Sequence, residues 1–204
     1  MKHRIIVCIL AAAMLLMAVS MSGCGSAAPD DGALSAAAAE LIQKSVAINE
    51  IYFGAGLEPV AADSPEAKAL LSELHADAAY INFLPVAGRT GYTSIASIKE
   101  ATEEVYSQSY CEYLYQLAFK GISADDVAAT YARYMETDNG ILTVRRDIEG
   151  IPLRTYGTEI EVLENSGSAA VVRVQSYLDG KEDVAVEVQM IFENGAWRLD
   201  SPTY

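Results

Sequence analysis

Histidine, cysteine and basic side chains are scarce in this sequence: two His, three Cys, and 14 Lys plus Arg against 28 Asp plus Glu in 204 residues. Each shortage argues against a class of chemistry. Beyond the first 23 residues the one histidine is His75, in SELHADAAY, and no second His or Cys stands at metal-ligand spacing from it. That argues against a zinc site with nitrogen or sulfur ligands. A Ser–His–Asp site would have to use His75, yet no G-x-S-x-G turn presents a serine and no Walker-type loop occurs. His75 reads as a solvated residue at a helix end. The acidic residues nowhere take EF-hand order. No catalytic residue, metal or cofactor is therefore expected. The shortage of positive charge, with no basic patch and no basic–aromatic interleaving, argues equally against nucleic acid.

What is present first is a leader. Lys2 and Arg4 are followed by an uncharged run from Ile5 to Gly23, apolar as far as Val19, and then Ser20, Ser22 and Gly23 precede Cys24. Met21-Ser22-Gly23-Cys24 resembles the bacterial lipoprotein box, with Met where Leu is usual. The resemblance implies that residues 1–23 are a signal peptide and that the thiol of Cys24 takes a diacylglycerol. Cys24 then becomes the mature N-terminus, and the domain is extracytoplasmic with the membrane as its first partner. Two acyl chains on one residue make a durable anchor. The alternative is an uncleaved spanning segment, since an uncharged run of this length approaches the ~20 residues a helix needs to cross. Serines and a glycine dilute its end, and no basic stop-transfer flank follows Cys24. Either way the domain lies outside the cytoplasm.

Removing residues 1–23 takes Lys2 and Arg4 away, leaving 12 basic residues against 28 acidic ones and a formal net charge of −16. Anionic lipid and anionic wall polymers would repel that surface, so partners are expected to be neutral, cationic, or proteins with a positive face. With Cys24 lipidated, Cys111 in SYCEYLYQL has no disulfide partner and reads as a small buried hydrophobe.

Residues 24–35 read as a small-residue tether, and 36–204 as a single domain of sufficient length for a proper core. Apolar residues recur at helical spacing from about Ala36 to Phe53, and Gly54–Gly56 ends that pattern. In DSPEAKALLSEL, Ser64 is a candidate N-cap with Pro65 at the first helical position. Tyr80 to Val86 reads as a short strand. YTSIASIKEATEEVYSQSYCEYLYQLAFKG reads as one or two helices broken near Ser107–Ser109 and ended by Gly121, and a further helix is expected from Ser123.

The period then changes to two. Asn139-Gly140 signals a hairpin, and a two-residue loop there would pair Thr137 with Leu142 and Met135 with Val144. TEIEVLE, AAVVRVQSY and DVAVEVQMIFE set Ile160 and Val162, then Ala170, Val172 and Val174, then Val184, Val186, Val188, Met190 and Phe192 on one face. Turns fall at Asn165–Gly167, Asp179-Gly180 and Asn194-Gly195, the last setting Phe192 against Trp197 and Met190 against Leu199. Such a sheet needs the N-terminal helices to cover its apolar face. The fold class is α+β: N-terminal helices packed on a curved antiparallel meander sheet.

Helices first, then a long meander closing in IFENGAWRLDSP, resembles the NTF2-like superfamily, a cone of bent sheet closed by helices. With the lipoprotein leader, YTSIASIKE and YARYMETDNGILTVRR are similar to the IseA-like family, over about Tyr80 to Pro202. Members of that family are secreted or anchored inhibitors of cell-wall DL-endopeptidases. The resemblance implies a non-catalytic binding or regulatory domain with a cell-wall hydrolase, or another envelope protein, as partner.

Tyrosine is the residue in excess, with 12 in all. Tyr106, Tyr110 and Tyr113 recur at i, i+4 and i+7, with Tyr131 and Tyr134 close behind. An apolar ring with a hydrogen-bonding tip suits both a core boundary and a recognition surface, and both readings stay open. The alternative to a binding domain is a small-molecule or ketosteroid-isomerase-type site in the cone, which needs an inward acid. Glu159, Glu161, Glu187 and Glu193 alternate outward, which leaves Glu50 beside the first apolar stripe. Glu100, Glu103 and Glu104 read as a solvated helix face, and Asp179, Glu182 and Asp183 as acids around a turn.

Overall fold

The computed structural model describes residues 30–74, 80–121 and 132–204. Cys24 and the leader, His75, and Tyr131 with the helix expected from Ser123 lie outside the described residues. No helix among the described residues is long and apolar enough to cross a membrane.

The first helix, α1 (Asp31–Tyr52), starts five residues before the apolar pattern, inside the expected tether. The reason is a cap: Asp30 accepts from the Ala33 amide at 2.7 Å, and Asp31 lies in the first turn, where the helix end is positive. Its buried face runs Leu34, Ala38, Leu41, Ile42, Ser45, Ile48, Asn49 and Tyr52. α2 (Pro65–Leu74) opens as expected, with Ser64 Oγ accepting from the Ala67 amide at 3.0 Å. α3 (Ile95–Glu103) carries a capping box between Ser94 and Ser97. α4 (Gln108–Tyr115) is capped by Ser107 and runs into a π-turn, Gln116–Lys120, that Gly121 ends at φ +76°. The break between two helices at Ser107 is the one expected.

The strands form two antiparallel sheets, one holding the hairpin expected at Asn139-Gly140 and the other the expected four-stranded meander. β1 (Phe83–Pro85), β2 (Tyr134–Glu136) and β3 (Leu142–Arg145) form the smaller, in the order β1-β3-β2. β4 (Thr155–Asn165), β5 (Ala169–Leu178), β6 (Lys181–Glu193) and β7 (Ala196–Leu199) form the meander in sequence order. Irregular register between Tyr156 and Ile160, at Val162–Glu164 and at Gln175–Tyr177 bends the long strands. Asp179-Gly180 and Asn194-Gly195 are two-residue turns with positive φ at both positions, and Met190 faces Leu199 and Phe192 faces Trp197 as expected.

The β2–β3 register differs by one residue from the two-residue reading. Tyr134 pairs with Val144, Met135 with Thr143 and Glu136 with Leu142. The loop is three residues, Asp138-Asn139-Gly140, with Gly140 at φ +75° and its amide bonded to Thr137 O at 2.8 Å. A type I turn followed by a left-handed glycine produces that register.

The core is the concave face of the meander against α1 and the α3–α4 junction. Val172, Val174, Val188, Met190, Trp197 and Leu199 meet Leu34, Ile42, Ile98, Tyr106 and Leu114 in one cluster. Each such aliphatic side chain contributes about 1.5–3 kcal/mol on burial. The face is not apolar to its ends. Val184 is 58 % and Phe192 37 % exposed, and Ile160 and Val162 are half-buried. The alternation continues past the part of the sheet that the helices cover, so sharing a face does not bury its outermost members.

Candidate functional site

The C-terminal end of α1 organises the neighbourhood that holds the tyrosines. A helix end leaves carbonyls without intrahelical partners, and here each finds one. Tyr134 Oη donates to Ile51 O at 2.8 Å and accepts from the Leu57 amide at 2.9 Å. Arg133 donates through Nη1 to Tyr52 O at 2.7 Å and through Nη2 to Gly54 O at 2.6 Å. The Ile151 amide donates to Phe53 O at 2.9 Å. Arg133 is 4 % exposed, and burial lowers its pKa despite the neighbouring charge of Glu50. A cation suits this end of a helix dipole. Glu50, the candidate inward acid, is exposed and accepts from the Ala55 amide at 2.8 Å, capping the turn outside the core.

Behind this end lies a buried polar knot. Tyr106 Oη donates to Asn49 Oδ1 at 2.8 Å and meets Thr203 Oγ1 at 2.7 Å. Asn49 Nδ2 donates to Thr203 O and Oγ1 at 2.8 and 2.9 Å, Thr203 donates to Ser45 Oγ at 2.8 Å, and Ser45 donates to Ile42 O at 2.8 Å. Every member is at least 98 % buried. Burial pushes Tyr106 up to about 12, while its hydrogen bonds to Thr203, Ser45 and Asn49 pull the other way.

From the knot the tyrosine stripe climbs to the surface. The rings of Tyr106 and Tyr110 are 4.9 Å apart and those of Tyr110 and Tyr113 are 5.9 Å apart, all tilted. Tyr106 is buried, Tyr110 half-buried and Tyr113 47 % exposed. Tyr204 comes to the same place, its ring stacked on Phe53 at 3.8 Å and 26° and its main-chain oxygen taking Arg154 Nη1 at 2.9 Å. Burial, then the neighbouring Tyr204, raises the Tyr110 hydroxyl well above the usual tyrosine range, and it makes no hydrogen bond of good geometry. Ile151, 50 % exposed, continues the patch beside Phe53. The result is an aromatic shelf of Phe53, Tyr110, Tyr113 and Tyr204 at the edge of the core.

Tyr134 stands apart from this shelf. It is fully buried, 6.3 Å from the Phe119 ring, and serves the helix end. Of the candidate tyrosines, the structure brings together Tyr106, Tyr110 and Tyr113, assigns Tyr134 to packing, and does not describe Tyr131. Cys111 is 1 % exposed, its thiol donates to Tyr106 O at 3.6 Å, and burial pushes it up to about 11, the behaviour of an inert core thiol.

The acids hold to the exposed faces expected of them. Glu100, Glu103 and Glu104 are exposed on α3, and Glu161 and Glu187 flank Arg173 on the outer face of the sheet at 3.1 and 2.8 Å. Asp183 pairs with Arg154 at 3.0 Å. Among the described residues no three His, Cys, Asp or Glu side chains gather as metal ligands. A groove of about 330 Å³ between α4 and the β6–β7 turn is lined by Glu103, Glu112, Glu193 and Arg198.

Sequence reasoning missed Asn49, Ser45, Thr203, Arg133 and Tyr204. For the first two the signal is present: Ser45 and Asn49 are polar residues one helical turn apart, in register with the apolar stripe of Ile42 and Tyr52. No protein-family model matches the chain, and no curated protein matches it.

Proposed function

We propose that this chain is a lipid-anchored, extracytoplasmic binding domain, held to the membrane through Cys24, that captures and restrains an envelope protein on the shelf of Phe53, Tyr110, Tyr113 and Tyr204. The proposed family is NTF2-like, and the proposed partner is a cell-wall DL-endopeptidase, as the similarity to IseA-like inhibitors implies. One observation carries the binding reading: the rings of Phe53, Tyr110, Tyr113 and Tyr204 stand outside the polar knot of Ser45, Asn49, Tyr106 and Thr203, whose members are already bonded to one another. Tyrosines lose little conformational freedom on binding and offer both apolar area and a hydrogen bond, which suits them to partner recognition. The acidic surface then steers a partner with a basic rim and makes association salt-sensitive.

The alternative, a small-molecule or ketosteroid-isomerase-type site in the cone, receives less support. Its chemistry asks for an inward carboxylate, and Glu50 is spent on the turn after α1. The described residues of the inner sheet face, from Tyr156 through Val174 and Val188 to Leu199, carry no carboxylate, and their buried polar groups are Ser176, the Tyr156 hydroxyl and the Trp197 indole nitrogen.

The test is digestion of cell wall by an endopeptidase of the same envelope, with and without the purified chain, at low and high salt. The expected outcome is slower digestion at low salt, a complex on a sizing column, and loss of both in Tyr110→Ala/Tyr113→Ala. An unchanged rate with no complex removes the inhibitor reading. Mass spectrometry of native material tests the anchor separately: a diacylated Cys24 is expected, and an intact, unmodified amino end defeats it.

A further inference from the structure

The segment Ser201–Tyr204 follows β7 but is held in a different way from the sheet. The last ladder contact is the Asp200 amide on Gln189 O at 2.8 Å, and Ser201 Oγ accepts from the Gln189 amide at 2.9 Å. Beyond Ser201, side chains from three elements grip the segment. Asn49 of α1 reads the Thr203 carbonyl and hydroxyl together, Ser45 and Tyr106 close around that hydroxyl, Phe53 offers a ring to Tyr204, and Arg154 takes the Tyr204 main-chain oxygen. Thr203 is 1 % exposed in this seat while Pro202 before it is exposed.

These are the parts of a peptide-recognition site. Two side chains read main-chain oxygens, a polar pocket reads one hydroxyl, and an aromatic face reads the next ring. Proline ahead of the pair favours an extended approach at low entropic cost, because it fixes its own φ and restricts the residue before it. We propose that this seat is a peptide-binding site, filled here in cis by Ser201–Tyr204. When that segment swings out, the seat takes an extended peptide carrying a threonine followed by an aromatic residue from another chain. The proposal needs neither the membrane anchor nor a wall hydrolase, although it shares Phe53 and Tyr204 with the aromatic shelf.

Two consequences follow from the chemistry. Cis occupancy lowers the apparent affinity for an outside peptide in proportion to the fraction of open seats, so vacating the seat must strengthen binding. A peptide with valine for threonine keeps the shape and loses the hydroxyl. It takes one buried hydrogen-bond partner from each of Ser45, Asn49 and Tyr106, and a site built to bond a hydroxyl rejects such an analogue strongly.

The experiment uses the full chain carrying Thr203→Ala and Tyr204→Ala, checked for folding by circular dichroism and titrated against fluorescein-labelled Ser-Pro-Thr-Tyr by anisotropy. The expected result is saturable one-to-one binding, at least tenfold weaker for Ser-Pro-Val-Tyr and at least tenfold weaker to the unsubstituted chain. A folded double variant that leaves the peptide free, or that takes the valine and threonine peptides equally, overturns the proposal. Should the double variant fail to fold, Tyr204→Ala alone replaces it, since Thr203 then keeps the knot intact. The peptide is expected to bind that chain more tightly than the unsubstituted one, and equal or absent binding overturns the proposal as well.

Discussion

Asn49 and Thr203 are joined twice across 154 residues of chain, by one amide nitrogen that reaches the carbonyl of Thr203 at 2.8 Å and its hydroxyl at 2.9 Å. The pair ties the last turn of the first helix to the segment beyond the last strand, and Tyr106 bonds to both partners. Every donor in this knot has an acceptor, which makes it a specifying feature of the core and leaves each member exposed to the loss of the others.

Replacing Asn49 by leucine, close in size, is expected to cost about 2–4 kcal/mol, because Thr203 O loses its donor and Tyr106 Oη one of its two partners inside a dry core. Tyr106→Phe removes one hydroxyl and is expected to cost about 1–2 kcal/mol. Urea midpoints of the three chains check the order, wild type above Tyr106→Phe above Asn49→Leu. Equal midpoints would mean that the knot contributes nothing.

The second prediction concerns Arg133, whose two guanidinium nitrogens take the carbonyls of Tyr52 and Gly54. Arg133→Met fills the space and leaves both oxygens unpaired at the negative end of α1, at an expected cost of about 3 kcal/mol. Arg133→Lys keeps the charge without the fork that spans two carbonyls, so it is expected to recover only part of that loss. Thermal unfolding of the two variants decides it, and a methionine variant as stable as the wild type contradicts the account.

How far the sequence reaches is clear from such residues. Ser64, Ser107, Gly121 and the Asn194-Gly195 turn act locally, through caps and positive φ, and short patterns reveal them. The alternation of Ala170, Val172 and Val174 likewise identifies a buried face without any knowledge of what covers it. Long-range satisfaction has no such signature. Nothing within ten residues of Arg133 announces the end of a helix some 80 positions earlier, and Thr203 lies in a stretch with no pattern. The β2–β3 slip has the same origin. Asn139-Gly140 fits a two-residue or a three-residue loop, and the choice follows from Tyr134 reaching Ile51 and Leu57. The stripe of Tyr106, Tyr110 and Tyr113 was legible as a stripe, but its gradient from core to surface depends on Phe53 and Tyr204, which the sequence does not connect to it.

Gly150 gives a third prediction. A β-carbon built there would lie 2.3 Å from Gly54 O and 2.4 Å from Gly54 C, both main-chain atoms that cannot turn aside. Gly150→Ala is therefore expected to push the 150–151 strand of chain off the end of α1 and cost about 1–3 kcal/mol. Gly88→Ala is the control, because nothing lies within 4 Å of its β-carbon position. Its expected effect is within about 0.5 kcal/mol. Denaturation midpoints of the two alanine variants should separate clearly, and coincident midpoints would refute the close approach at Gly150.

Alkaline pH supplies the last prediction. Burial, opposed by hydrogen bonds, pushes Tyr106 and Tyr134 from 10.0 up to about 12. A tyrosine whose folded pKa lies above its unfolded value holds its proton more tightly in the native state. Its contribution to stability is fully present below pH 10, declines as the unfolded chain ionises, and is gone once pH has passed about 12. Each of the two contributes up to roughly 3 kcal/mol in that window. The urea midpoint is therefore expected to ease down from about pH 9, where the unfolded Cys111 thiol ionises and the buried one does not, and to fall steeply from pH 10 to 12. Tyrosinate absorbance of the buried rings should appear together with unfolding and not before it. Tyr134→Phe should lower the midpoint at pH 8, where Ile51 O loses its donor, and flatten the decline above pH 10, where one ionisation is gone. A decline of unchanged steepness in Tyr134→Phe would assign the alkaline transition to other groups.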